Sequence, residues 1–433
     1  MNTSFTQKLI NLSDQNTIIN VLYSSLMICV FAQKQPDIFK NMLENTQQDI
    51  IEELNHHLFQ ISKEEVLHKE KYFDPLPEKV IIDLTNLAFK TITHHDYIAL
   101  EIREFIEQNP KRLGFSTTPK VLKDIFCVIL EHYQNEHNFQ SFYDFNGGIG
   151  NLFECIVSQK ESFNPSDIYI EERNPLFQQI GKMLMILAQP TANIHYLLRN
   201  SLRSAYVTEK DIKVDCVLSV PRMGRLFKYE LDEINENFFI NHDVPKTQNA
   251  ETLSIQIALH SLKPNGKAII LVPDGFLHKQ GYEAYIRRDL LNYSGNDYRY
   301  AGQILETVIA LPNNLFPGMT LSTSLLILST ERKKQPGLVN MVDLSQDDIN
   351  LNNLKEILNI IDYSDHTIEH DSLVKVHFDE IRHYDFSLRP IEYLGSKTEP
   401  KLPNLSDDIK VLDSLKLEFD EAYQDWNKLI STK

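Results

Sequence analysis

Through roughly the first hundred positions, apolar side chains recur at three- and four-residue intervals, as at Ile50, Leu54, Leu58 and Ile61, and strand-like runs are scarce. That spacing predicts helices across residues 1–110. The longest apolar stretch, Ile18 to Ala32, is broken by Asn20, Ser24 and Ser25. It falls short of the roughly 20 residues a bilayer crossing requires, so it predicts a core helix. Asn109-Pro110 closes the helical region, and the pattern then changes. A helix from Pro119 to about His132 leads into strand-like runs at Phe142–Phe145, Asp167–Glu172, Asn193–Leu197, Val214–Ser219, Lys267–Val272, Ile304–Leu311 and Thr323–Leu328. Helical spacing intervenes over 151–159, 174–188 and 248–262. Such alternation predicts an α/β fold with a mostly parallel, doubly wound sheet. Residues 222–247 read as a loop carrying Phe227, Tyr229, Phe238 and Phe239, read as packing residues. Past Pro400, apolar residues from Ile409 to Leu429 repeat in threes and fours, which predicts a helix over 407–430. The expected organisation is a helical domain over 1–110, a cofactor-binding domain over 111–332 and an extension over 333–433 with a helical tail.

With 433 residues, 42% hydrophobic and 24% charged, the composition is that of an ordinary globular protein. The charge is more informative. A formal net charge of −17 opposes a polyanion, because DNA affinity rests on neutralising phosphates with Lys and Arg. The chain is therefore not expected to hold DNA tightly by itself. Local basic candidates are Arg222, Arg225 and Lys228, together with Arg287 and Arg288, which read first as the solvated face of a helix over 282–291. Cys29, Cys127, Cys155 and Cys216 are isolated in apolar runs, which argues against a disulfide framework or a zinc site and for buried thiols in a reducing cytoplasm. The residues before Ile18 lack the basic cluster of a signal peptide. His94-His95 and His366 with His370 have no supporting ligand set, so no metal is expected there.

Candidate chemistry centres on Asp144-Phe145-Asn146-Gly147-Gly148-Ile149-Gly150-Asn151, which follows a short apolar run and precedes a helix-like one. A glycine-rich turn at that place lets backbone approach a nucleotide. Glu172 ends the next strand-like run, 28 residues after Asp144, and a parallel β-α-β unit brings it beside the turn, where a carboxylate suits ribose hydroxyls. This pairing points to an adenosine-containing cofactor. No P-loop motif occurs, and bulkier residues stand where a dinucleotide fingerprint has its third glycine.

Asp144 and its glycines resemble the first motif of S-adenosylmethionine-dependent methyltransferases. The resemblance sharpens at Leu262-Lys263-Pro264-Asn265-Gly266-Lys267-Ala268-Ile269-Ile270-Leu271-Val272-Pro273-Asp274-Gly275-Phe276-Leu277. This segment looks like the modification subunit of type I restriction-modification systems, a family of adenine-amino DNA methyltransferases. Leu311-Pro312-Asn313-Asn314-Leu315-Phe316-Pro317-Gly318 follows in the family's order, and Tyr384-Asp385-Phe386-Ser387-Leu388-Arg389-Pro390 matches its closing signature. Upstream, Gly114-Phe115-Ser116-Thr117-Thr118-Pro119 resembles the cofactor-side Thr-Pro motif, with Thr117 where an aromatic residue is usual. The resemblance covers roughly 110–395. It implies an S-adenosylmethionine site that includes Thr118, Pro119, Asp144, Gly148, Gly150, Glu172 and Asn200, the last standing where the family usually has Asp. It also implies a partner specificity subunit that reads DNA, with 407–430 as the candidate docking helix.

One departure bears on activity. The family's catalytic Asn/Asp/Ser-Pro-Pro-Tyr/Phe should follow the strand Val214–Ser219, and the chain instead reads Val220-Pro221-Arg222-Met223. Adenine's exocyclic amine is a poor nucleophile whose hydrogens must be held on oxygen acceptors, and Val220 offers none. Met223 replaces the aromatic that stacks on a flipped base, and Arg222 adds a cation beside a sulfonium methyl donor. Asn174-Pro175-Leu176-Phe177 looks like a variant of the motif, but directly after Glu172 it reads as a helix start. Two readings follow: a DNA adenine methyltransferase-family subunit of a restriction-modification or phage-defence system with impaired catalysis, and an inactive pseudo-methyltransferase serving as scaffold, cofactor sensor or DNA-binding partner of an active enzyme.

Overall fold

The computed structural model describes residues 4–394 except 15–16, 46–49, 66, 91–94, 114–116, 160–161, 189–191, 227–248, 292–303, 314, 317–320, 331–336, 346–349 and 363–369. The loop aromatics, Lys228 and the predicted helix over 407–430 lie outside the described residues.

All seven predicted strands form: β1 Ser141–Asp144, β2 Asp167–Glu172, β3 Asn193–Leu198, β4 Val214–Ser219, β5 Leu262–Pro273, β6 Leu305–Ala310 and β7 Thr323–Ser329. Two more, β8 Leu338–Asp343 and β9 Leu373–His377, extend the sheet beyond residue 332. Leu338-Val339 and Met341-Val342 are split by Asn340, and Leu373-Val374 and Val376 by Lys375, so neither segment holds an apolar run long enough to mark it. Among the described residues the strands make one sheet in the order β3-β2-β1-β4-β5-β7-β6-β8-β9. Neighbours from β3 across to β5 are parallel, β7 lies antiparallel between β5 and β6, β8 runs parallel to β6, and β9 closes the edge antiparallel. The chain winds outward from β1 in one direction and resumes at β4 in the other, so a crevice opens at the carboxyl ends of β1 and β4.

Strand alternation divides the interior. Phe142, Ile168, Cys216, Leu218 and Ile269 join one core together with the N-terminal helices. Tyr143, Val217, Ala268, Ile270 and Leu326 join a second beneath helices Ala250–Ser261 and Tyr282–Leu290. The predicted core helix runs Ile18–Lys34 and is buried at every position from Val21 to Ala32. Its polar interruptions are satisfied: Ser24 Oγ donates to the Tyr72 carbonyl at 3.3 Å and Ser25 Oγ to that of Leu22 at 2.8 Å. Among the described residues no helix is long and apolar enough to cross a membrane. The helix predicted from Pro119 spans Lys120–His137.

Candidate functional site

After Asp144 the chain must leave β1 and turn back beneath β2, and glycines make this possible. The Gly147 amide donates to the Glu171 carbonyl at 3.0 Å. Backbone approaches so closely there that a Cβ on Gly147 would sit 2.1 Å from Ile170 Cγ2. Gly148 and Gly150 take φ of 55° and 77°, in the left-handed region that favours glycine. A Cβ on Gly148 would meet nothing within 4 Å, because that residue faces a cavity.

Helix Pro175–Ala188 supports the turn from behind. Asn174 caps it, its Oδ1 accepting from the amides of Leu176 (2.9 Å) and Phe177 (3.3 Å), so this segment is the helix start that its place after Glu172 predicted. Gly181 lets the helix press close: an added Cβ would lie 2.1 Å from Tyr196 Oη and 2.9 Å from Ile149 Cα. That contact supplies the close packing for which the dinucleotide fingerprint uses its third glycine. Tyr196 Oη in turn donates to the Gly148 carbonyl at 2.8 Å.

The cavity measures about 850 Å³ and lies over the carboxyl ends of β1, β2 and β4. Thr118, Asp144, Gly148, Glu172 and Asn200 line it, and Val220, Pro221, Arg222 and Met223 form part of its wall. Two expected residues are not on the wall. Pro119 stands at the N-cap position of helix Lys120–His137, and Gly150 turns inward toward Met185 and Arg103.

Glu172 receives the Gly148 amide on Oε2 (3.0 Å) and the Asn174 amide on Oε1 (2.6 Å), which fixes the carboxylate while lone pairs remain on both oxygens. Burial raises its pKa against those backbone donors. Asp144 is buried at 1% exposure. Burial raises its pKa to about 7, the Asn146 amide at 2.8 Å opposes the shift, and the Glu172 charge adds to it. A third carboxylate on the wall, Glu171, is likewise pushed to about 7 by burial. Its Oε1 accepts from Tyr143 Oη (2.6 Å) and the Tyr206 amide (2.7 Å), while Oε2 has no hydrogen-bond partner among the described residues. Its position next to Glu172 is the only sign of it in the sequence.

The motif position after β4 is well defined. Val220 and Met223 pack against the core shared with the N-terminal helices. The Gly224 amide donates to buried Glu251 at 3.1 Å, and the Ala250 amide to the Gly224 carbonyl at 3.0 Å, pinning the loop to helix Ala250–Ser261. Phe316, from the Leu311–Gly318 segment, faces the same cavity. At Val220 this wall presents a hydrocarbon side chain and no acceptor.

Arg287 differs from its expected role. It is fully buried rather than part of a solvated face or a basic patch, and it donates to the carbonyls of Phe386 (2.7 Å), Phe276 (2.8 Å) and Lys279 (2.8 Å). The Leu388 amide adds a bond to the Leu277 carbonyl at 2.8 Å. The Pro-Asp-Gly segment and the closing signature are thus joined through one guanidinium.

A crevice at the strand-order reversal, with a glycine turn after β1, an acid ending β2 and β7 antiparallel between β5 and β6, is the α/β methyltransferase fold. Residues 96–401 match the N-6 DNA methylase family, and the chain belongs to that family. It is 24% identical over 331 residues to the type I restriction enzyme HindI methylase subunit of Haemophilus influenzae, covering 72% of this chain and 70% of that one. It is 25% identical over 338 residues to the MpnII methylase subunit of Mycoplasma pneumoniae, covering 72% and 58%. A type I restriction-modification methyltransferase subunit from Streptococcus thermophilus superposes with a TM-score of 0.61 at 17% identity, over 89% of this chain and 96% of that one. The family match runs across residues 110 and 332, the expected domain boundaries.

Proposed function

We propose that this chain is a modification-subunit-type methyltransferase homologue of a restriction-modification or phage-defence system, one that keeps an S-adenosylmethionine cavity and lacks the usual route of methyl transfer to adenine. The observation that carries this reading is the wall of the cavity: Asp144, Gly148 and Glu172 are set around open space, and Val220 stands where the amine acceptor belongs. The residues fit the cofactor. The glycine turn and Asp144 would take the methionine part, Glu172 the ribose hydroxyls and the Asn200 carbonyl the adenine amine. S-adenosylmethionine supplies an electrophilic methyl on a sulfonium. The chain's own part is to fix Glu172 through the Gly148 and Asn174 amides and to bury Asp144 beneath the turn.

In this reading, DNA recognition belongs to a partner specificity subunit in a cytoplasmic assembly. Residues 1–110 are the helical part, 111–332 the cofactor-binding part and 333–433 an extension that adds β8 and β9 to the sheet and carries 407–430 as the docking helix. The second reading, an inactive pseudo-methyltransferase serving as scaffold, cofactor sensor or DNA-binding partner of an active methyltransferase, is favoured by the same Val220.

Calorimetric titration with S-adenosylmethionine separates a working cofactor site from a bare scaffold. Micromolar binding that is lost in Asp144→Ala is expected, and absence of heat would favour the scaffold. Labelled methyl is expected not to enter DNA, even with a specificity subunit present. Incorporation that disappears in Asp144→Ala would overturn impaired catalysis. The triple change Val220→Asn, Arg222→Pro and Met223→Phe tests whether the defect is local.

A further inference from the structure

We propose that Arg103, on the N-terminal helix His95–Gln108, is a positioning residue that locks the glycine turn in its cofactor-receiving shape and thereby sets cofactor affinity. The proposal rests on the cofactor reading above for its ligand and on geometry for everything else.

Arg103 has 0% exposure. A guanidinium removed from water is unfavourable unless its donors are used, so where they go shows what the burial is for. Nη1 donates to the Ile149 carbonyl at 2.6 Å and to Asn151 Oδ1 at 3.3 Å, and Nη2 reaches Met185 Sδ at 3.4 Å. The first two partners belong to the turn, and the third to the helix behind it. Ile149 lies between Gly148 and Gly150, both left-handed, outside the strands, so its carbonyl has no strand ladder to join. Arg103 satisfies it. Gly150, off the cavity wall, is required by its positive φ; a Cβ there would press on Met185 Sδ at 3.3 Å and meet Arg103 Nη2 in ordinary contact at 3.5 Å.

One helical turn after Arg103, Glu107 accepts from Lys123 Nζ at 2.6 Å, and Lys123 also pairs with Glu154, the first residue of helix Glu154–Ser158. The N-terminal helix is thereby tied twice, to the turn by Arg103 and to the element after the turn by a buried Lys123 bridge. Only the first tie touches the backbone that faces the cavity. Burial lowers the Arg103 pKa while Glu154 and Glu107 oppose the change, and arginine keeps its charge across the physiological range.

The test uses the full chain in four forms: wild type, Arg103→Met, Arg103→Lys and, as a control for losing a buried cation nearby, Lys123→Met. Amide hydrogen exchange without ligand reads the turn, whose Gly147, Gly150 and Phe153 amides are bonded to the carbonyls of Glu171, Gly147 and Gly150. Calorimetry with S-adenosylmethionine reads affinity. Arg103→Met is expected to speed exchange at those amides relative to β5 and to weaken binding roughly 10- to 100-fold, the range for hydrogen bonds from a charged donor. Arg103→Lys, with one donor instead of a fork, is expected to restore part of both. Lys123→Met is expected to lower the melting temperature while leaving turn exchange relative to β5, and affinity, within about twofold of wild type, as loss of a nearby structural cation should. Unchanged turn exchange in Arg103→Met, or equal changes in Lys123→Met, would overturn the proposal. If Arg103→Met does not fold, Arg103→Lys decides by the same readings. A wild type that binds no cofactor would sink the cofactor reading alone, and the exchange comparison would still decide whether Arg103 holds the turn.

Discussion

Asp144 and Glu171 hold their protons more tightly in the folded chain than an unfolded carboxylate does, both near pH 7 instead of about 4. An acid shifted in this direction contributes stability that is complete below its unfolded pKa and is lost as pH rises through the folded value. Asp144→Asn and Glu171→Gln are therefore each expected to raise stability at pH 8 by roughly 1–3 kcal/mol and to change it little at pH 4, as urea unfolding at the two pH values would measure. Asp144→Asn should carry a functional penalty. The ionised form suits a cationic ligand, so S-adenosylmethionine affinity is expected to rise with pH through about 7 in wild type more steeply than in the variant, by calorimetry across that range. At this scale the sequence was only half legible. Asp144 and Glu172 are marked by their places at strand ends. Glu171 and Arg103 matter because of what lies beside them in space, and neither carries a local pattern.

Among the elements, the seven predicted strands were readable because each is a short apolar run set off by polar turns, and the Asn174-Pro175 helix start because capping is a local interaction. The strands β8 and β9 were not readable, since short runs broken by a polar residue take their meaning from the neighbours they pair with. Helix Pro175–Ala188 shows how close packing is encoded by one small residue. Gly181→Ala would put a methyl group on Tyr196 and the Ile149 backbone, so a loss of about 1–3 kcal/mol is expected in thermal unfolding, with cofactor binding weakened as Tyr196 withdraws from the Gly148 carbonyl. Arg287→Met should detach the closing signature from the Pro-Asp-Gly segment. Faster protease cleavage near Tyr384–Pro390 than in wild type would reveal it.

For the whole molecule, charge decides the first expectation. At −17 the isolated chain should bind a short DNA duplex no more tightly than ~10 μM at physiological salt, measured by fluorescence anisotropy, and only a basic partner should change that. The placement of the core decides the second. The N-terminal helices and one face of the sheet bury their side chains in the same cluster, from Leu26 and Phe31 through Ile106 to Phe142, Ile168 and Leu218. A polypeptide beginning after Asn109 would leave the outer face of helix Pro175–Ala188, on which helices Ile18–Lys34 and His95–Gln108 pack, uncovered to water, and the N-terminal helices alone would lose the surface they close over. The chain therefore stands or falls as one cooperative unit. A single heat-absorption peak should accompany its melting, and neither half should be recoverable as a soluble fragment.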